Sequence, residues 1–228
     1  MELIIIIISL IAILLTYWLM KFNRKELENI ANNEELNQIA NKYPSNAEIC
    51  KKILKKLNNQ NVKIEESPES ESTLYMAISN KIIIGNTHNS FTRIQTMAHE
   101  ALHSIQDRKL LLFNFIYSNI YLLYFIVISV LVILKKLPNT LLFTNILLIL
   151  SFIYYVVRVY LENDAMIKAE YVAKEYMEEE NISTIEELNK VVEGFKMLNK
   201  DCIKGTNLSL FINILLKVII FNVLALIF

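Results

Sequence analysis

Over 228 residues the chain carries 23 basic and 23 acidic side chains, for a net charge of zero, with 54% hydrophobic residues and a mean hydropathy of +0.37. That balance suits a membrane protein rather than a soluble domain. Lys and Arg are interleaved with acids instead of gathered into a patch, which removes nucleic acid as a partner class. Three Gly and three Pro among long helix-forming runs point to a mainly α fold, and Cys50 and Cys202 match neither a metal spacing nor a disulfide framework.

In chain order, residues 3–20 form an apolar run long enough to span a bilayer. Glu2 precedes it and Thr16-Tyr17-Trp18-Leu19-Met20 ends it, unlike the basic start and small-residue end of a cleaved signal, so it is expected to stay as an anchor. Lys21, Arg24 and Lys25 follow, and the positive-inside rule places them in the cytoplasm. Residues 21–109 are then a cytoplasmic part. It contains a helix from Ser45 to Leu57 capped by Ser45, and two short strands, Thr73–Ile78 and Lys81–Ile84, joined by a tight turn. Its last helix runs from about Ser90 to Asp107, with Phe91, Ile94, Met97, Ala98, Ala101, Leu102 and Ile105 at core spacings.

Residues 110–157 read as a transmembrane hairpin around Lys135-Lys136-Leu137-Pro138-Asn139-Thr140, in which Asn114, Asn119 and Asn145 are expected to bond between helices. Residues 158–207 return to a polar, helical composition, and 208–228 form a fourth apolar span carrying Lys217, for which snorkelling, burial in the bundle or an interfacial helix is the expected reading. An even number of crossings puts 21–109 and 158–207 on one side.

The chemistry-bearing stretch is Met97-Ala98-His99-Glu100-Ala101-Leu102-His103, an HExxH sequence. Positions i and i+4 lie on one helix face, so His99 and His103 can reach one metal ion with Glu100 beside it. A catalytic zinc takes three protein ligands and keeps a position open. The third is expected from Glu162, in Glu162-Asn163-Asp164-Ala165 where the third span ends, with Asp164 and His88 as alternatives and Asp164 also able to orient a histidine. Zn2+ is the implied cofactor, Glu100 the implied general base, and the strand 73–78 a possible edge for an extended peptide. Tyr75, Tyr160 and Tyr171 are open candidates for stabilising an oxyanion, with packing as the alternative role for each.

Ser45 to Asp107, together with Glu162-Asn163-Asp164-Ala165, resembles the YugP-type family of bacterial integral-membrane neutral zinc metallopeptidases. The membrane hairpin between HExxH and a glutamate resembles, more distantly, the heat-shock membrane protease HtpX and the prenyl-protein endoproteases. The chain departs from the YugP-type pattern at Leu102, where that family usually carries Gly. The fold expected is mainly α and membrane-embedded, with about four transmembrane helices read from the apolar runs and a small β-hairpin from the strand pattern, and the resemblance implies a zincin-like helical metalloprotease domain. It also implies a multi-pass protein of the bacterial cell membrane, its active site facing the cytoplasm and its substrates proteins or peptides, membrane proteins among them. The competing class is a non-catalytic membrane protein whose structural or vestigial metal site serves a partner-binding module.

Overall fold

The computed structural model describes residues 1–70, 72–86 and 90–228. Its elements are α1 (Glu2–Met20), α2 (Arg24–Ala31), α3 (Glu34–Ala40), α4 (Asn46–Lys56), β1 (Lys63–Glu66), β2 (Leu74–Met76), β3 (Lys81–Ile84), α5 (Arg93–His103), α6 (Arg108–Ile133), α7 (Thr140–Glu180) and α8 (Ile185–Ile227). The protein is mainly helical with one small sheet, and four of its helices, α1, α6, α7 and α8, are long and apolar enough to cross a membrane. The chain divides into two compact units.

One unit comprises Met1–Phe22, Leu112–Tyr160 and Lys204–Phe228. Its exposed side chains include Ile4, Leu14, Leu123, Phe152 and Leu226, an outside suited to lipid rather than water. Tyr121, Ile128, Leu147, Val218 and Phe221 pack its interior. The expected interhelical asparagine bonds are replaced by others. Asn119 donates back to Phe115 O of its own helix at 2.7 Å. Links between helices come instead from Ser151 Oγ to Tyr121 Oη at 2.9 Å, Tyr124 Oη to Phe143 O at 3.2 Å and Thr144 Oγ1 to Asn222 Oδ1 at 3.3 Å. Lys217 is half-buried, with Nζ 5.3 Å from the Tyr121 ring centroid and bonded to Asn213 one turn away, a cation–π placement.

The other unit comprises Asn23–Leu111 and Leu161–Ile203. Short polar caps start its small helices. Asn23 Oδ1 accepts from Glu26 N at 3.3 Å and Asn33 Oδ1 from Leu36 N at 3.2 Å. Ser45 and Glu48 form a reciprocal capping box at the head of α4, as the sequence suggests. The sheet has the order β1-β3-β2. β2 and β3 make the expected antiparallel hairpin, and β1 adds a parallel partner on the far side of β3. Ile82 and Ile84 of the central strand turn into the core with Ile49, Ile53, Phe91, Ile94, Met97 and Phe195.

Two spans run on past their apolar segments. No Gly or Pro interrupts residues 140–180, so α7 continues as one helix through the change from apolar to polar sequence. Likewise α8 carries the polar Ile185–Ile203 stretch and the fourth apolar run as one helix. At Gly194 a Cβ would lie 2.7 Å from Leu36 Cδ1 and 3.1 Å from Phe91 Cε2, so the missing side chain lets α8 close on the residues leading into α5.

Candidate metal centre

α5 is fixed from its apolar face. Ile94, Met97, Ala98 and Ala101 have no exposed surface, and burying each of the larger two is worth about 1.5–3 kcal/mol. Leu102 joins that core at 4% exposure. The N-terminal end is held by Arg93, whose guanidinium donates to Ala40 O (3.0 Å), Tyr43 O (2.7 Å), Pro44 O (2.9 Å) and Asn46 Oδ1 (2.7 Å). These acceptors close the turn between α3 and α4, so one buried cation ties three helices together. At the other end Asn59 Nδ2 donates to Ser104 O at 3.0 Å and Ser104 Oγ at 2.9 Å.

This anchoring leaves the polar edge of α5 facing α7. His99 Nε2 and His103 Nε2 are 3.0 Å apart, and Glu162 Oε2 lies 3.5 Å from the first and 3.7 Å from the second. Ligands ~2.0–2.1 Å from a tetrahedral zinc stand ~3.3 Å from one another, so these three atoms have the spacing of one face of a zinc tetrahedron. Among the described residues, His99, His103 and Glu162 form the group of His, Cys, Asp or Glu side chains able to share an ion. The expected third ligand, Glu162, is therefore brought to the two histidines. His88, one alternative, lies outside the described residues.

The hydrogen bonds around His103 assign its tautomer. Gln106 Nε2 donates to Leu161 O at 2.8 Å and Asp164 Oδ2 at 3.1 Å, both of which can only accept. Gln106 must then present Oε1 to His103 Nδ1, 2.8 Å away, and that nitrogen carries the proton. The lone pair of Nε2 is left aimed at the triangle, where two facing imidazole nitrogens require a shared proton or a cation between them. The donor set fits zinc: two imidazoles and one carboxylate, with an outer amide fixing one ring. Asp164 stands behind Gln106 and pairs with Lys168 at 2.5 Å. Burial alone would raise its carboxyl, but Lys168 and Gln106 hold it below the usual aspartate range.

Burial works against a charged His103 ring, yet the neighbouring Glu162 and Glu100 carry its pKa above the ordinary histidine value. Glu100 is 7% exposed, and burial raises its carboxyl above the usual glutamate range despite the nearby histidines. Its Oε2 accepts the backbone N–H of Tyr75 at 2.6 Å. That amide points away from β3, so the outer edge of β2 reaches the carboxylate directly. Sequence reasoning did not anticipate this contact or the part of Gln106. The one signal for Gln106 is its place three residues after His103, within one turn. Of the three tyrosines, Tyr75 donates its hydroxyl to Asn80 Oδ1 at 2.9 Å in the hairpin turn, and Tyr160 and Tyr171 are about 60% exposed.

Comparison with protein-family models, with curated proteins and with solved structures finds no match to this chain.

Proposed function

We propose that the protein is an integral-membrane zinc metalloendopeptidase of zincin-like build, similar to the YugP-type family. The observation that carries this reading is the triangle of His99, His103 and Glu162 with a buried carboxylate, Glu100, on the same helix as the two histidines. His99 Nε2, His103 Nε2 and Glu162 Oε2 would hold the ion. The chemistry zinc supplies when bound is Lewis acidity, which polarises a carbonyl and brings the pKa of a water from about 15.7 to about 7. Glu100 takes the proton of the attacking water on its carboxylate and returns it to the departing amine. Its raised affinity for a proton suits this, since a base works best when its pKa approaches the working pH.

β2 supplies the substrate edge. It is the outer strand next to β3, and its outward Tyr75 N–H is held by Glu100, so a peptide that pairs along this edge takes over that donor and frees the carboxylate to act as the base. The unit holding the site faces the cytoplasm of a bacterial cell by the positive-inside rule, with Lys21, Arg24 and Lys25 flanking the first span. Substrates are proteins or peptides, membrane proteins included.

Purified protein is expected to hold about one zinc and to cleave casein, and Glu100→Gln to keep the metal while losing ~100- to 10,000-fold in turnover, the usual contribution of a general base. Full cleavage by Glu100→Gln would remove Glu100 from the mechanism. Metal bound with no cleavage by the wild type would favour the non-catalytic, partner-binding reading.

A further inference from the structure

We propose that a pocket walled by α5, α7 and α8 receives an apolar side chain adjoining the scissile bond, which makes the protein selective for peptides with a medium to large apolar residue there. The proposal rests on the peptidase reading and names its substrate class. The cavity has a volume of about 240 Å³, and its walls include Thr96, His99, Met166, Ala169, Leu198 and Cys202. His99 belongs to both places: it lines the cavity, and its Nε2 is a corner of the triangle 3.0 Å from His103 Nε2. A peptide carbonyl at the triangle therefore sets an adjoining side chain at the cavity mouth.

Size and chemistry define the occupant. The volume exceeds the ~150 Å³ of an apolar cavity that admits benzene, so a leucine or phenylalanine side chain has room. Among the described residues the lining carries no Asp, Glu, Lys or Arg, so a charged side chain entering it would lose its water without gaining a partner. Glycine or alanine would leave apolar wall uncovered. The walls are also fixed relative to each other, because Asn199 Nδ2 of α8 donates to Met166 O of α7 at 3.0 Å. Ala169, 1% exposed, is where added bulk would fill the space from behind.

Cys202 provides a probe independent of turnover. It lines the cavity and is partly exposed, whereas Cys50 is fully buried; burial raises both thiols, that of Cys50 to about 12. The experiment uses the full zinc-loaded chain in detergent. Cleavage is followed on a peptide pool varied on both sides of the scissile bond, with wild type and Ala169→Leu. In parallel, alkylation of Cys202 by N-ethylmaleimide is followed by mass spectrometry with two peptidyl hydroxamates that differ in one side chain, isobutyl or hydrogen. The expected results are a preference of at least ~10-fold for Leu, Met or Phe over Gly or Asp at one position, shifting toward smaller residues in Ala169→Leu, and alkylation slowed by the isobutyl compound alone. Equal alkylation with the two compounds overturns the pocket whatever the cleavage result, as does a preference unchanged by Ala169→Leu. Selective protection of Cys202 without any cleavage supports the pocket and overturns the peptidase reading, so the two fail separately.

Discussion

At His103 the direction of the Nε2 lone pair aimed at the triangle is decided by Gln106, which spends both amide protons on α7 and so must accept from the imidazole. Outer partners of this kind are worth ~10- to 100-fold in metal affinity. Gln106→Ala is accordingly expected to weaken zinc binding by that factor in a competition titration with a chromophoric chelator, and an unchanged affinity would mean that the ring is held by packing alone. The pH dependence follows from two shifts of the same sign. Protons and zinc compete for His103 Nε2, and because its pKa is raised, zinc occupancy at limiting metal should begin to fall at a pH above the ordinary histidine range. Glu100 must be ionised to accept a proton, so its raised pKa moves the acid limb of kcat/KM above the ordinary glutamate range. A limb near pH 4 in a full pH–rate profile would contradict that assignment. His99, Glu100 and His103 were legible in the sequence because helical spacing alone brings i and i+4 together. Gln106 and the Tyr75 amide were not, since their roles depend on partners 55 and 25 residues away in the chain.

Among the elements, α5 matters most, and its place depends on both an apolar stripe and one buried cation. The stripe was visible as periodicity. The Arg93 clamp was not, because the carbonyls it satisfies belong to a turn some 50 residues earlier. Arg93→Met removes five hydrogen bonds to four acceptors and strands buried carbonyls, so a loss of about 3 kcal/mol or more in unfolding free energy is expected, at about 1–3 kcal/mol for each buried group left without a partner. Denaturant titration followed by tryptophan-independent far-UV signal measures it, and a loss under 1 kcal/mol would show that the core alone positions α5. β1 escaped the sequence because Lys63-Ile64-Glu65-Glu66 has one apolar residue and an almost wholly exposed pattern. Its strand state comes from pairing with β3. The continuity of α7 and α8 escaped for another reason: a change from apolar to polar sequence marks a change of surroundings, and without a breaking residue it does not end a helix.

For the molecule as a whole, one compact unit is built from two chain segments, Asn23–Leu111 and Leu161–Ile203. In the proposed membrane topology α6 and the apolar part of α7 form a hairpin, an even number of crossings that returns the second segment to the side of the first. Exposed cysteines introduced by Lys51→Cys and Lys196→Cys should therefore label from the same face of sealed vesicles, the cytoplasmic one, and Lys135→Cys from the opposite face. Labelling of the first two from opposite faces would break the shared site apart. The apolar spans and their number could be read from hydropathy alone, whereas the union of two distant polar segments into one core required side-chain packing across α4, α5, α7 and α8.

Zinc dependence of peptide hydrolysis joins these scales in one experiment. Purified protein is stripped with a chelator, assayed on casein, and titrated with zinc alongside Glu162→Ala. The expected outcome is loss of cleavage on stripping, return of activity at about one zinc per chain, and a much weaker return in Glu162→Ala. Cleavage that survives complete removal of the metal, or a chain refilled with one zinc that cuts nothing, would contradict the proposed function.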